Sequence, residues 1–537
     1  MKSHLSSSSA FRRRIMPIAA VALSAIALSA CSGGSGQTDP AASASATPAS
    51  GGTLTVAVSA LPAIIDPYAT TLQANWIIAR NVCEPLFDVD TAFKVKPVLA
   101  ESSTYDSKQT YVIKLRSGVS FQDGQPMTSK DVIASLTRYE ETPGNGSILK
   151  GLLSGIDETD DTTVTLRLNS SSLLIPTLLT TAYIMPASVV AGRPATQALD
   201  KLDCTGPYTL DSNVAGQEIT LKKWSGYRSP DGASSGGTGA KHAYLDEIMF
   251  KPMPTSSTRM QAVTTGLVDV AMGTLDDYAT VSTSSTVAAG LLAKQSSPTI
   301  VFNKISGVMA NVKMRQAFLA ALNMSDIMSA GFGDPANFDV DGSIFTKDNT
   351  TWHTDAGTKG HYNAPDPQKV KKLLSEAGYS NEKITWYTTQ DDPTWYGPAV
   401  PAQQELKKLG FNIDLQVVDQ ATIIAKRTDP TKYDIFSSAI PTYADPLLLP
   451  YLQDTFPGGW SSAEKSALLK TLSVSASESE RKATWDKLQA LIYTDVPFLK
   501  FGTVSGGTVV FAKDVHSTDG VKNGGNQLYF NYWKSAK

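Results

Sequence analysis

The sequence predicts an α/β protein built from at least two compact units. Residues 383–418 have the pattern of a strand, a helix and a strand with short joins, which is typical of a βαβ crossover between parallel strands. The first half of the chain also mixes strand and helix patterns. The chain has 537 residues, and the roughly 485 that follow residue 50 exceed the size at which one hydrophobic core keeps growing.

A basic and then apolar segment begins the chain. Arg12 to Arg14 precede a mostly apolar stretch over residues 15–28, and the tetrapeptide Leu28 to Cys31 ends it. The stretch of about 14 residues is shorter than the roughly 20 that a spanning helix needs, which favours a signal peptide over residues 1–30. Leu28 to Cys31 resembles the bacterial lipobox, whose cysteine receives diacylglycerol and becomes the first mature residue. Lipidation of Cys31 is therefore expected; the alternative is an ordinary cleavage site beside a cysteine.

Residues 31–50 are predicted to form a flexible tether. They consist almost entirely of Ala, Ser, Thr, Pro and Gly, a composition that cannot bury a core. A flexible chain of this length reaches on the order of 25 Å, enough to hold a folded body clear of a bilayer. The expected location is the extracytoplasmic side of the cell membrane, with the lipid on Cys31 as the anchor.

The first half of the folded region combines strands with helices. Residues 53–59 are rich in β-formers, and residues 73–83 have a helical pattern. In 110–116 and 163–168, apolar residues alternate with polar ones, which predicts two half-buried strands. Between them, Thr128 to Asp131 has the form of a capping box before a helix.

The second half contains the most complete helix signal in the chain. Asp366 is suited to the N-cap, Pro367 to the first helical position and Gly378 to the C-terminal stop. The succession that follows is a strand over 383–389, a helix over 402–409, a strand over 411–418 and a last amphipathic helix over 480–493.

Charge and motif content argue against several functions. The formal net charge is −3, with both signs interspersed, so no nucleic-acid partner is predicted. Residues 232–236 match the G-x-S-x-G pattern of hydrolases around Ser234, but no apolar strand precedes them. His353 and His361 are eight residues apart in a polar loop and are expected to be surface residues. No catalytic residue, metal site or cofactor is predicted.

The cysteines point to one disulfide. If Cys31 is lipidated, Cys83 and Cys204 remain, and an oxidising compartment favours a bond between them. Two separately buried thiols are the alternative, and metal ligation by two cysteines without a nearby histidine is less favoured.

Several ordered motifs carry a resemblance to a known family. The chain resembles the extracellular solute-binding proteins of ABC importers, in the large family that binds peptides, nickel and related solutes. The matching segments keep the order of the family over roughly residues 51–501, and they are 97–100, 111–124, 126–138, 205–208 (Thr-Gly-Pro-Tyr), 259–270, 312–317 and 366–379. Most of these motifs belong to the scaffold, so they indicate the fold better than the ligand.

The resemblance implies a two-lobed fold of the periplasmic-binding-protein type (type II, Venus-flytrap), joined by two crossing segments. The crossings are expected near 299–303 and 497–503. Lobe I then comprises 51–298 plus 501–537, with an inserted subdomain at about 98–203, and lobe II comprises 299–500. A ligand that touches both lobes favours the closed state.

The function implied is capture of an extracellular peptide or similar small solute and its delivery to an ABC permease, without catalysis and as a monomer. A receptor of the same fold for a sugar, an opine or a metal chelate is the alternative within the family. A secreted hydrolase is the alternative from another class.

The ligand residues follow from the same resemblance. In peptide-binding members, a carboxylate that pairs with the ligand amine lies about four residues before the proline of an acidic-Pro step. Here that step is Asp445-Pro446, and the residue four before the proline is Thr442. A buried ammonium without a counter-charge is costly. Either Asp445 takes this role or the ligand is not bound through a free amine; alternatively, Asp445 only caps a helix over 447–452.

Further candidates lie in loops at predicted strand ends, where α/β folds bind ligands. Aromatic and polar side chains are suited to line the cleft, with packing beneath their own loops or capping as the alternatives. These candidates are Trp395, Tyr396 and Tyr443 in the second lobe and Thr71 and Gln73 in the first.

Overall fold

The computed structural model describes residues 47–68, 73–107, 109–475, 477–518 and 528–535, and they form a mixed α/β body. The side chains of Gln73 and Ser107 are not described. The predicted signal peptide, Cys31, most of the tether and Thr71 lie outside the described residues. Among the described residues, no helix combines the length and apolarity needed to cross a membrane.

The strands within the described residues are, in chain order, β1 Thr53–Val58, β2 Phe87–Val89, β3 Val95–Pro97, β4 Ala100–Ser107, β5 Thr110–Leu115, β6 Leu153–Asp160, β7 Thr163–Leu168, β8 Tyr208–Val214, β9 Glu218–Lys223, β10 Glu247–Pro252, β11 Val270–Gly273, β12 Val287–Leu291, β13 Lys294–Phe302, β14 Phe338–Asp339, β15 Ile384–Thr388, β16 Ile413–Val417, β17 Ile435–Pro441, β18 Phe498–Lys500, β19 Thr503–Ser505, β20 Thr508–Ala512, β21 Val515–Ser517 and β22 Tyr532–Lys534.

The α-helices within the same residues are α1 Gln73–Val82, α2 Ser129–Tyr139, α3 Asn145–Leu152, α4 Ile175–Leu178, α5 Ala187–Val190, α6 Ser256–Thr264, α7 Leu275–Val281, α8 Val312–Ala321, α9 Met324–Phe332, α10 Pro367–Ala377, α11 Pro393–Tyr396, α12 Ala399–Lys408, α13 Gln420–Lys426, α14 Ala463–Val474 and α15 Glu478–Asp495.

Two of the sheets contain most of the strands of the first half, and one of them also takes β20 from near the end of the chain. Sheet A has the strand order β12-β20-β11-β1-β10-β9-β8, with β1 parallel to β10 and β11. Sheet C has the order β4-β5-β7-β6 and is antiparallel. Its alternating residues bury one face in a separate apolar cluster that extends from Leu86 to Ile184. Its strands lie between residues 100 and 168, inside the subdomain predicted at about 98–203.

Sheet B contains the predicted crossover. Its order is β14-β19-β13-β17-β15-β16, with β18 also paired to β13. Strands β15 and β16 are parallel and α12 joins them, so the βαβ prediction is confirmed. Helix α12 begins at Ala399, three residues before the predicted start at 402.

The strongest local signals also give the expected helices. The capping box of Thr128 and Asp131 begins α2. Asp366 accepts hydrogen bonds from the backbone N–H groups of Gln368 and Lys369 at the start of α10, and Gly378 ends this helix in the left-handed conformation. In contrast, the helix predicted over 447–452 is replaced by two 3₁₀ turns, Pro446–Leu448 and Pro450–Leu452. Pro450 has no N–H to continue the first turn.

The chain passes between sheets A and B twice. It leaves β12 after Leu291 and enters β13 at Lys294, and it returns between β19 and β20 at residues 506–507. The crossings predicted near 299–303 and 497–503 lie largely within strands of sheet B, because β13 continues unbroken to Phe302 and pairs with β17, β18 and β19.

The two passages run side by side. The N–H of Leu292 donates to the carbonyl of Gly507 over 2.9 Å, and the N–H of Gly506 donates to the carbonyl of Ala293 over 3.3 Å. Gly507 has φ +126°, and a Cβ there would lie 2.5 Å from the carbonyl oxygen of Gly273, so only glycine fits without a shift.

The structure joins Cys83 and Cys204 in a disulfide. The neighbouring residues Glu84 and Thr205 are hydrogen-bonded to each other over 3.2 Å, and Lys241 donates to Glu84 over 2.8 Å. All of these side chains are buried. The end of α1 and the Thr-Gly-Pro-Tyr segment are therefore held together by a covalent bond and a buried hydrogen bond, and an ion pair connects Glu84 to Lys241.

Candidate functional site

The candidate site lies at the carboxyl edge of two parallel strands in sheet B. β15 and β17 run in the same direction, with Trp386 opposite Ile435. The chain therefore leaves both strands at the same edge, and the predicted residues 395–396 and 442–445 follow directly. Loops at the carboxyl ends of parallel strands are the usual ligand-binding positions of α/β folds.

The two predicted aromatic residues after β15 differ in exposure. Trp395 is 8 % exposed and belongs to an apolar cluster with Phe436 and Ile440. Its carbonyl accepts a hydrogen bond from the Thr388 hydroxyl over 3.0 Å. Tyr396 is half-buried. Trp395 thus mainly supports its loop from below, and Tyr396 is the more accessible of the two.

Thr442 and Tyr443 begin the segment after β17. The N–H and the hydroxyl of Thr442 both donate to the carbonyl of Gln295, each over 3.1 Å, which fixes this residue to β13. Tyr443 is half-buried, and desolvation raises the pKa of its hydroxyl. Its ring packs on the cluster that contains Trp395. The structure therefore brings Trp395 and Tyr443 to one apolar surface.

Asp445 is buried in an ion pair. Its two carboxylate oxygens accept bonds of 3.0 and 2.8 Å from one nitrogen of the Arg481 guanidinium. Its Oδ1 also accepts from the N–H of Leu447 over 3.0 Å, so it caps the first 3₁₀ turn. Burial raises the pKa of the Asp445 carboxyl, and Arg481 opposes this shift. Asp445 thus caps a 3₁₀ turn in place of the helix that the alternative expected, and an incoming ammonium would have to displace Arg481.

A loop between β14 and α10 supports this segment from one side. Asn349 donates to the carbonyl of Tyr443 over 3.1 Å, and Trp352 donates to the carbonyl of Ala444 over 2.9 Å. The guanidinium of Arg481 lies 5.1 Å from the centre of the Trp352 ring, within the range of a cation–π interaction. The backbone of residues 443–444 is therefore held in place.

The same segment contacts the core beneath sheet C. Leu447 and Leu448 pack against the cluster of residues 86–184, and Leu447 also packs against the cluster of sheet B. The charge of Arg481 also affects the hydroxyl of Tyr105 on β4, although desolvation dominates the raised pKa of that hydroxyl. Residues 442–448, the bridging segment, therefore lie where the sheet B and sheet C regions meet.

Sequence reasoning missed Arg481, Trp352 and Leu447 as parts of this region. Arg481 and Asp445 are 36 residues apart, and the pairing depends on how α15 docks. The pair of prolines at 446 and 450 was the available signal that no regular helix follows Asp445.

The candidate residues of the first half lie largely outside the residues that the structure describes. Thr71 is outside the described residues, and Gln73 begins α1 without a described side chain. Just before them, the Asp66 carboxylate binds Arg138 and the N–H of Tyr68. This buried pair fixes the turn from which the undescribed segment departs.

The hydrolase pattern lacks the required structural context. Residues 224–246 contain turns and bends without a helix, whereas a nucleophile elbow needs a strand, a sharp turn and a helix. The hydroxyl of Ser234 accepts a hydrogen bond from the side-chain amide of Asn531 over 2.8 Å. Ser234 is therefore part of a loop contact.

Comparisons with known proteins place the chain in a family. The family model described as "Bacterial extracellular solute-binding proteins, family 5 Middle" matches residues 94–458. The chain is similar to a probable peptide ABC transporter periplasmic-binding protein, y4tO, of Sinorhizobium fredii, with 25 % identity over 387 residues that cover 69 % of this chain and 71 % of the relative.

Two further similarities agree with this assignment. The glutathione-binding protein GsiB of Escherichia coli is 28 % identical over 389 residues, which cover 68 % of this chain and 69 % of the relative. The crystal structure of the ABC transporter substrate-binding protein CtaP of Listeria monocytogenes superposes with a TM-score of 0.78 at 21 % identity, over 91 % of this chain and all of that one.

The predicted type II periplasmic-binding-protein fold is therefore confirmed by the structural similarity, and the predicted class of function by the family. The chain belongs to the bacterial extracellular solute-binding proteins, family 5, and is a substrate-binding protein of the kind that serves ABC importers.

Proposed function

We propose that the chain captures a peptide or similar small solute between two lobes and delivers it to an ABC permease. The lobes are centred on sheets A and C on one side and on sheet B on the other. The main support for this proposal is the position of the bridging segment, which extends from the carboxyl edge of sheet B to the core of sheet C. A ligand between these surfaces would contact both lobes, as capture by closure requires.

The two adjacent passages between sheets A and B are suited to be the hinge. They comprise residues 292–293 and 506–507, and two backbone hydrogen bonds connect them. Hinges are short segments at element ends that absorb changes of φ and ψ. We therefore place the lobe boundaries at these residues, a few positions away from those implied by the resemblance.

The ligand is proposed to bind without an ammonium–Asp445 pair. Arg481 already occupies both oxygens of this carboxylate, and Thr442 carries no charge. Exchanging a paired guanidinium for a ligand ammonium would leave Arg481 buried and unpaired, which is costly. We therefore expect the protein to recognise its ligand through backbone contacts and through packing on Tyr396 and Tyr443. Such contacts suit a peptide or a small solute without a free amine.

Calorimetry with a peptide library, guided by native mass spectrometry of the purified protein, tests this function. We expect at least one peptide to bind, with similar affinity in its free and N-acetylated forms. Tyr443→Ala should weaken binding about tenfold, because an aromatic contact at the site is lost. Tyr379→Ala is the matched control, since Tyr379 is half-buried near the opposite edge of sheet B and bonded to the N–H of Asn412.

The outcomes separate the alternatives. Binding of a sugar, an opine or a metal chelate in place of every peptide would remove the peptide part and keep the binding function. Strict dependence on the free amine would contradict the role given to Arg481. If the protein hydrolysed a bound peptide and Ser234→Ala abolished this hydrolysis, the result would support a hydrolase and contradict a purely binding role.

The protein is also proposed to act as a monomer tethered to the membrane by lipid on Cys31. The support is the lipobox resemblance and the low-complexity composition of residues 31–50. Cys31→Ala should release the protein from the membrane fraction, whereas Ser32→Ala should not. Retention of the Cys31→Ala protein on membranes after signal cleavage would contradict the anchor.

A further inference from the structure

Three potential metal ligands converge in the loop between β14 and α10. They are Asp341, His353 and Asp355, and their ligand atoms all lie within 4.8 Å of one another. Oδ2 of Asp341 and Nε2 of His353 are 3.0 Å apart. An imidazole and two carboxylates from a single loop form a donor set of mixed type, unlike a purely acidic surface cluster.

The spacing suits a divalent cation. Ligand bonds of roughly 2.0–2.2 Å to zinc or another small divalent ion place neighbouring donor atoms on the order of 3 Å apart. A small adjustment of the exposed Asp355 side chain would bring its oxygen to the same ion. Imidazole favours zinc, copper, iron and nickel over magnesium and calcium, so a first-row transition metal or zinc is the expected class.

The backbone near the three ligands is held by contacts outside the cluster. The side chain of Gln489 on α15 accepts from the N–H of Ile344 over 3.0 Å and donates to the carbonyls of Thr354 and Ala356 over 2.7 and 3.0 Å. Trp485 on the same helix donates to the carbonyl of Trp352 over 2.8 Å. Helix α15 therefore holds the backbone that follows Asp341 and the backbone on both sides of His353 and Asp355, as a metal site requires.

The three ligand side chains differ in exposure, from the buried Asp341 to the exposed Asp355. The side chain of Asp341 is 7 % exposed and that of His353 is 25 % exposed, whereas Asp355 is exposed. Asp341 has two described donors, the N–H of Ser343 and the ring of His353, and an ionised carboxylate has about four acceptor positions. A cation would satisfy this buried group further and would enter from the side of Asp355.

We propose that Asp341, His353 and Asp355 bind one divalent cation of the zinc type, with water in the remaining positions. This site goes beyond the proposed capture of a solute and differs from the sequence prediction that no metal binds. His353 follows Trp352, which holds the carbonyl of Ala444. The cation would therefore stabilise the loop that supports the bridging segment.

Calorimetric titration of the untagged, metal-free protein with zinc chloride tests the proposal, with elemental analysis for stoichiometry. We expect one zinc per chain in the wild type and a loss of affinity of about tenfold or more in His353→Gln and in Asp355→Asn. The matched controls are His361→Gln and Asp348→Asn, which change the same residue types in the same loop outside the cluster. Both controls should bind zinc as the wild type does.

Thermal unfolding keeps the test independent of folding defects. Zinc should raise the midpoint of unfolding in the wild type and in both controls and should leave it unchanged in His353→Gln, whose circular dichroism serves as the check on folding. The proposal is overturned if the wild type binds no zinc, or if His353→Gln binds zinc as tightly as the wild type does. The Asp341–His353 contact would then be only a hydrogen bond.

Discussion

The two parts of the chain on either side of the first crossing bury their charges differently. Before the crossing, buried cations are paired with buried carboxylates: Arg80 with Asp88, Arg138 with Asp66 and Lys241 with Glu84. Between the crossings, Arg315 and Lys500 are buried against backbone carbonyls. Arg315 binds the carbonyls of residues 309, 310, 495 and 496, and Lys500 binds that of Ser343.

These two buried cations between the crossings have lowered pKa values. Desolvation lowers the pKa of Arg315 to about 10 and that of Lys500 to about 8, because carbonyl dipoles compensate a buried charge less than a carboxylate does. Arg315 is nevertheless well placed, since residues 495 and 496 form the carboxyl end of α15, where a helix dipole favours cations.

One buried pair in the second part departs from this pattern. Among the described residues between the crossings, Arg481 and Asp445 form the ion pair in which both side chains are buried. Asp445 belongs to the bridging segment, and Arg481 reaches it from α15. The comparison therefore indicates that paired charges hold elements within the first part, whereas in the second part the pair is placed at the candidate site.

The largest expected effect comes from breaking a pair in the first part. Arg138→Met would leave Asp66 buried without its partner, and the free energy of unfolding should fall by about 3–5 kcal/mol. Urea denaturation followed by circular dichroism measures this loss. Arg193→Met is the control, because the exposed pair of Arg193 with Asp200 should contribute less than about 1 kcal/mol. Equal effects of the two changes would contradict the role of burial.

A smaller loss is expected from the pair at the candidate site. Arg481→Met should lower the free energy of unfolding by about 3 kcal/mol, the low end of the range for a broken buried pair. Asp445 would still accept the N–H of Leu447, so its carboxylate would keep one hydrogen bond after the change. The double variant Arg481→Met, Asp445→Asn should be more stable than Arg481→Met alone, since it removes the unpaired charge. A double variant that is less stable than both single ones would show that the pair is not the main interaction.

The smallest effect near neutral pH concerns the protonation of Lys500. The pKa of Lys500 is lowered in the folded protein, so the unfolded chain retains this proton to higher pH, and stability must rise between about pH 8 and pH 10.5. The difference in unfolding free energy between the wild type and Lys500→Met should therefore change with pH in this window. Lys487→Met, at an exposed position of α15, should give a constant difference. A constant difference for Lys500→Met as well would contradict the comparison.

Local signals predicted the elements and family motifs predicted the fold. The capping box at Thr128, the cap at Asp366 and the alternation over 163–168 each depend on neighbours within a few residues, and the structure has all three elements. The crossings were displaced because β13 gains its length from pairing with β17, β18 and β19, which are distant in sequence.

The candidate site was predicted less completely. The resemblance led to the segment after β17 in which we propose the site, but the state of Asp445 depends on Arg481, which no local pattern connects to it. Trp395 had the signal of a loop aromatic, yet its burial depends on the packing of α11 against Ile440 and Phe436. Long-range packing decides whether such residues face a ligand or the core.

Hydrogen exchange measured by mass spectrometry, with and without a bound peptide, tests the central claim of capture between the lobes most directly. We expect the ligand to protect residues 439–452 around the bridging segment and residues 100–106 on β4 together, since both sides of the cleft would close on it. Sheet A strands remote from the cleft, such as β9, should exchange as before. Protection confined to one of the two cleft regions would contradict capture between the lobes.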